Sequence, residues 1–128
     1  MARILVAEDE KQIADMIAFK LTNSGHQVIR AQDGEQALQL ALSELPNLIM
    51  LDAMMPVLSG FEVLRQLKAN SALRSIPVIM VTAKGHERDV LSGLRGGAVD
   101  YVVKPFSLKE LAARVELALA KEVPPTLP

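Results

Sequence analysis

The sequence predicts an α/β domain with a wholly parallel sheet, on three observations. Four short apolar runs, Ile4–Ala7 (ILVA), Leu48–Leu51 (LIML), Val78–Val81 (VIMV) and Tyr101–Val103 (YVV), are continuous rather than alternating. Continuous runs of this length fit strands covered on both faces. Between them lie segments whose apolar residues recur at helical spacing. Strand and helix alternate from end to end, which is the order that builds right-handed crossovers.

The elements follow in turn. ILVA ends at Glu8 and Asp9, and a helix with the stripe Ile13, Met16, Ile17 and Leu21 follows. Asp9 with Gln12 offers that helix a cap. His26–Ala31 (HQVIRA) is a more polar strand suited to a sheet edge. Asp33 with Gln36 starts a helix striped by Leu38, Ala41, Leu42 and Leu45 and closed by Pro46. LIML ends at Asp52. Ser59 with Glu62 has the S-x-x-E form of a capping box and opens a helix with Phe61, Leu64 and Leu67. VIMV ends at Thr82. The next helix, Gly85–Gly96, contains Gly93, adjoins Gly97 and lacks a clear cap, so it is expected to be the weakest and most mobile. YVV ends at Lys104–Pro105. Ser107 with Glu110 is a second capping box, opening a helix with Leu108, Leu111, Ala112, Val115 and Leu119. Only Val123–Pro128 (VPPTLP) changes composition, and it reads as a disordered tail or linker stub on a single domain spanning residues 1–122.

Composition narrows the function. Half of the 128 residues are hydrophobic, enough for a packed core, and the net charge of −1 gives no bias toward nucleic acid or an anionic membrane. Aromatic residues, at 3%, are too few for base-stacking platforms. The absence of cysteine removes disulfides, thiolate metal sites and cysteine nucleophiles. The opening MARILVAEDE is not a signal peptide, and no apolar run approaches the roughly 20 residues that cross a bilayer. These features lead us to expect a soluble, cytoplasmic protein.

Each strongly apolar run ends on a polar residue, and in an open parallel sheet all strand ends of one sense face one crevice. Glu8, Asp9, Asp52, Thr82 and Lys104 should therefore converge. Singly, each has an ordinary role as a cap, turn or strand end. Jointly they are complementary. Three carboxylates in one crevice repel, so at least one should have a raised pKa unless a cation intervenes. Mg²⁺ favours such sites, keeping a few carboxylates and several waters. A cation, the Lys104 ammonium and the Thr82 hydroxyl around Asp52 suit phosphoryl transfer, with Asp52 as the nucleophile that forms an aspartyl phosphate.

From Arg3 to about Lys121 the chain resembles the receiver domain of two-component response regulators. The motifs that carry the resemblance are the acidic pair in ILVAEDE, the acceptor in LIMLDAMMPVLSGFEVL, the hydroxyl in VIMVTA and the lysine in DYVVKPFSLKEL. The resemblance implies a flavodoxin-like (βα)5 fold with strand order 2-1-3-4-5 and helices on both faces. It implies Mg²⁺ (or Mn²⁺) held by Asp9 and Asp52 directly, by Glu8 mostly through water, and by the backbone carbonyl of Met54. Asp52 becomes the phospho-acceptor, Lys104 the phosphoryl ligand, and Thr82 and Tyr101 the switch pair. The Lys104–Pro105 bond should be cis. The implied partners are a sensor histidine kinase or histidine phosphotransfer protein and an effector that reads the face of the fourth helix, fifth strand and fifth helix. Such a protein is a switch rather than a classical enzyme, although it catalyses its own phosphorylation and slow dephosphorylation. Met54 and Lys84, two residues after Asp52 and Thr82, are expected to tune phosphate lifetime.

Some residues depart from the family pattern. Gly96–Asp100 reads GGAVD where A-G-A-D-D is frequent. Asp100, Glu110 and Arg114 match the charges through which the winged-helix transcription-factor branch dimerises, whereas Val90, Val99 and Glu116 do not. The expectation is a monomer or a weak phosphorylation-dependent dimer. It is a stand-alone receiver or one cut from a longer regulator, without direct nucleic-acid binding. Three rival readings are weaker. An aspartate-nucleophile phosphatase would carry a second Asp where Met54 stands. A flavin module would not place the acidic EDEKQ loop against a phosphate. A degenerate receiver used only for docking would not retain the whole polar set.

Overall fold

The computed structural model describes residues 1–83 and 87–121. In chain order the elements are β1 (Arg3–Ala7), α1 (Lys11–Asn23), β2 (Gln27–Ala31), α2 (Gly34–Glu44), β3 (Leu48–Asp52), α3 (Gly60–Ala69), β4 (Val78–Ala83), α4 (Glu87–Arg95), β5 (Asp100–Lys104) and α5 (Leu108–Lys121). All strand pairs are parallel, in the order β2-β1-β3-β4-β5. The central β3 is buried throughout, whereas the edge strands β2 and β5 carry the polar positions. The continuous runs ILVA, LIML and VIMV mark the interior strands, and the mixed HQVIRA run lies at the edge its polarity predicted, whereas YVV, although continuous, forms the other edge, β5, and is only partly buried.

Alternate strand residues feed two cores, one on each face of the sheet. Ile4, Val6, Met50, Val81 and Val102 pack against Ile17 and Leu21 of α1 and Leu111 and Val115 of α5. Leu5, Ile49, Leu51 and Met80 pack against Ala37 and Ala41 of α2 and Val63, Leu64 and Leu67 of α3. The helix stripes differ from expectation at three positions. Met16, Leu42 and Leu45 are exposed, and the buried faces use Ala14 and Ala37 instead. Small residues fit where a helix lies closest to the sheet, so the larger leucines one position away turn outward.

The capping residues also need correction. Helix α1 begins after Glu10, which makes no side-chain cap, so Asp9 does not cap it. Asp33, Ser59 and Ser107 accept from the backbone N–H groups of Gln36, Glu62 and Glu110, as predicted. The reciprocal half of each S-x-x-E box is missing, because Glu62 turns to Arg65 and Glu110 to Arg114. Helix α4 is described from Glu87 to Arg95 and ends one residue before the predicted Gly96, while its predicted start at Gly85 lies outside the described residues. Lys84, Gly85 and the Val123–Pro128 tail lie outside the described residues.

At the opposite end of the sheet from Lys104, the buried His26 accepts the Ala2 N–H through Nδ1 at 3.0 Å. Its Nε2 therefore carries the proton, and it lies 2.6 Å from Glu116 Oε2. Glu116, which departs from the family's dimer charges, is thus engaged within its own chain.

The β3–α3 connection is tightly wound. Leu58 N–H donates to Pro56 O at 2.8 Å across Val57, whose φ is 72°. A γ-turn with positive φ is rare and strained, and a β-branched residue suits it poorly. Val57 is also exposed, so its side chain gains little from packing. Val57→Gly is expected to stabilise the protein by about 1 kcal/mol, read as a higher urea midpoint. A lower midpoint would contradict the strain.

Candidate functional site

The site is built at the carboxyl ends of β1, β3, β4 and β5. Register places it: Ala7 lies beside Leu51, Asp52 beside Val81, and Ala83 beside Lys104. The residue after each apolar run therefore arrives at the same edge. Glu8 N–H donates to Ala31 O at 3.1 Å and Ala53 N–H to Val81 O at 2.8 Å, which fixes the backbone on either side of the acids. Asp52 Oδ1 accepts the Met54 N–H at 3.2 Å.

Lys104 gathers the carboxylates. Its Nζ lies 3.0 Å from Glu8 Oε1, 3.2 Å from Asp52 Oδ2 and 3.4 Å from Glu10 Oε1. The Glu8 and Asp52 side chains are only 2% and 7% exposed. Carboxylate oxygens of Glu8, Asp9 and Asp52 lie within 4.8 Å of one another, and Asp9 faces solvent. A cavity of about 750 Å³ opens beside them, lined in part by Lys11, Arg30, Asp33 and Pro56. The Lys104–Pro105 bond is cis.

The electrostatics follow from burial. Desolvation raises the Glu8 carboxyl, its contact with the Asp52 carboxyl raises it further, and it titrates at about 7 instead of 4.5. The Glu10 N–H and Lys104 oppose this without cancelling it. Burial by itself would lower Lys104, but Glu8 and Asp52 outweigh it and the lysine is raised. The folded state thus holds a Glu8 proton that the unfolded chain releases near 4.5, so stability falls as pH rises through the window from 4.5 to about 7. In metal-free protein this loss should reach up to about 3 kcal/mol, seen as a falling urea midpoint. Glu8→Gln should flatten the dependence, and an unchanged slope in that variant would contradict the assignment.

Thr82 is buried, and its Oγ1 has no hydrogen-bond partner among the described residues. Tyr101 pairs with Met80 in the register, so it shares a sheet face with Thr82 two residues on. Its ring is partly buried on the core, with Arg114 Cζ 5.9 Å from the ring centre. Arg114 in turn holds Asp100 at 2.9 Å and Glu110 at 3.2 Å. The matching dimer charges therefore form a cluster within the chain.

The structure brings together Glu8, Asp9, Asp52 and Lys104, and sets Thr82 on the adjoining strand end. Glu10 was missed. It stands in the same EDE run, and its placement at the end of a loop rather than inside α1 is what turns it toward Lys104. The His26–Glu116 pair had no local signal, since 90 residues separate its members.

The family model described as "Response regulator receiver domain" matches residues 4–116. The chain is 44% identical over 122 residues to the phosphate regulon transcriptional regulatory protein PhoB of Escherichia coli, covering 95% of this chain and 53% of that protein. It is 45% identical over 119 residues to the alkaline phosphatase synthesis transcriptional regulatory protein PhoP of Bacillus subtilis, covering 93% and 49%. The chain spans about half the length of these curated relatives. Among solved structures, the receiver domain of Francisella response regulator 1452 superimposes with a TM-score of 0.88 at 35% identity, covering 94% of this chain and 98% of that one. Vibrio cholerae chemotaxis protein CheY4 gives 0.86 at 30% identity, covering 92% and 98%. The sheet order, the acid–lysine edge and these matches together establish that the chain belongs to the response regulator receiver domain family of two-component systems.

Proposed function

We propose that this receiver takes a phosphoryl group onto Asp52 from a phosphohistidine of a sensor histidine kinase or a histidine phosphotransfer protein. The observation that carries the reading is Lys104 Nζ, poised 3.2 Å from a nearly buried Asp52 oxygen beside two further acids. An Asp52 carboxylate oxygen attacks phosphorus as the P–N bond breaks, and the departing imidazole nitrogen keeps the electron pair. Lys104 then meets a phosphoryl oxygen, and the Thr82 hydroxyl donates to another.

The all-oxygen donor set, with carboxylate oxygens of Glu8, Asp9 and Asp52 within 4.8 Å of one another, fits a hard divalent cation. Glu8, Asp9, Asp52 and the Met54 carbonyl would hold Mg²⁺ or Mn²⁺. When bound, the ion supplies neutralisation of charge on the phosphoryl oxygens. Recruitment of Thr82 draws Tyr101 inward, and the α4-β5-α5 face changes for an effector that reads it. Residues 1–122 form the receiver, and 123–128 a tail or linker stub. The chain works as a monomer or a weak phosphorylation-dependent dimer in the cytoplasm. Among the described residues no helix is long and apolar enough to cross a membrane.

Phosphoramidate carries the P–N bond of phosphohistidine and tests the reading. With Mg²⁺ it should yield an acid-labile, slower-migrating band on a phosphate-affinity gel, lost with EDTA. No band from any P–N or acyl-phosphate donor would overturn it in favour of a docking role. Met54, two residues after Asp52, is exposed, and it and Lys84, which lies outside the described residues, are proposed to tune the lifetime of the phosphate. Met54→Ala and Lys84→Ala should each change the decay rate of the phosphate by about threefold or more, and unchanged decay would contradict this.

A further inference from the structure

Glu10 belongs neither to the compact metal-ligating set nor to helix α1. Its backbone is extended, with φ −81° and ψ 107° at the N-cap position, yet its side chain makes no cap. A helix start that forgoes its cap breaks a local rule, which is how a functional constraint shows itself. Its N–H donates to Glu8 Oε2 at 3.1 Å, so the backbone is tied to the site. Its carboxylate lies 3.4 Å from Lys104 Nζ, and among the described residues no other cation pairs with it. The neighbouring Lys11 is engaged by Asp15 at 3.2 Å. Glu8 and Asp52 hold Lys104 from the buried side, whereas the Glu10 side chain is 62% exposed and sits on the solvent side.

We propose that Glu10 is a charge gate at the mouth of the site, holding Lys104 toward solvent and selecting against strongly anionic phosphoryl donors. The inference rests on the phospho-acceptor reading of Asp52. A donor must bring its phosphate past the Glu10 carboxylate and take Lys104 from it. The electrostatic penalty for doing so grows with the charge of the donor and shrinks with salt. Glu10 is a positioning residue here, acting through Lys104 and through its field.

The test compares two donors with Mg²⁺ at low ionic strength: acetyl phosphate, a dianion at neutral pH, and phosphoramidate, mainly a monoanion. Glu10→Gln should accelerate uptake from acetyl phosphate by about threefold or more and uptake from phosphoramidate by less, raising the rate ratio. Added salt should narrow the difference. Glu10→Asp keeps the charge and should keep the wild-type ratio, which a purely structural role would not predict. An unchanged ratio in Glu10→Gln, with wild type still phosphorylated, overturns the gate alone. Wild type that takes phosphate from neither donor overturns the acceptor reading and the gate with it.

Discussion

Asp52→Asn should abolish acid-labile phosphoryl uptake and at the same time make the metal-free protein harder to unfold. The first effect follows from chemistry, because an amide oxygen is not a competent nucleophile toward phosphorus. The second follows from crowding. Glu8, Asp9 and Asp52 place oxygens within 4.8 Å of one another, with Glu10 close by and Lys104 as their shared cation. Removing one charge relieves repulsion, while asparagine can still accept the Met54 N–H that Asp52 accepts. Loss of the charged Lys104 contact offsets part of the gain, leaving about 1 kcal/mol. Excess Mg²⁺ should reverse the ranking, since under the proposed metal site only wild type would keep the full ligand set and be stabilised by binding. A variant that still acquires an acid-labile phosphate, or one less stable than wild type without metal, would contradict this account.

Gly60→Ala should be among the most damaging small substitutions in the chain. A Cβ at this position would lie 2.3 Å from the Asp52 carbonyl oxygen, 2.9 Å from its carbon and 3.0 Å from Ala53 Cα. All three are backbone atoms and cannot rotate aside. Gly60 also donates its N–H to Ala53 O at 2.9 Å, so the start of α3 rests directly on the end of β3. Either α3 retreats or the acceptor strand bends. The expected cost is about 2–4 kcal/mol in urea unfolding, with uptake slowed by about tenfold or more because Asp52 leaves its place beside Lys104. Gly25→Ala provides the contrast, since its φ of 93° is unfavourable but its Cβ would meet open space. That change should cost about 1 kcal/mol without affecting uptake. Equal effects at the two glycines would show that the close approach at Gly60 does not matter.

Much of this architecture was legible in the sequence. LIML and VIMV are continuous because β3 and β4 are covered on both faces, and HQVIRA is mixed because β2 is an edge. Glu8, Asp52 and Lys104 could be brought together without coordinates, because a parallel sheet collects the ends of its strands. Other features were hidden for physical reasons. The buried faces of α1 and α2 depend on alanines 14 and 37, which hydrophobic periodicity weighs lightly beside Met16 and Leu42. The capping boxes formed only half their bonds, because Arg65 and Arg114 compete for the glutamates with full charge. Glu10 acts through where α1 begins, and helix boundaries are the least legible part of any element. Glu116 finds His26 only through the tertiary fold.

The central claim is that Asp52, among the acids at this edge, accepts the phosphoryl group. Wild-type protein incubated with acetyl phosphate and Mg²⁺, then reduced with borohydride, should yield a homoserine in place of the phosphorylated aspartate. Peptide mass mapping should locate it at residue 52. A reduced residue at Asp9 instead, or no reduced residue despite excess donor, would contradict the account.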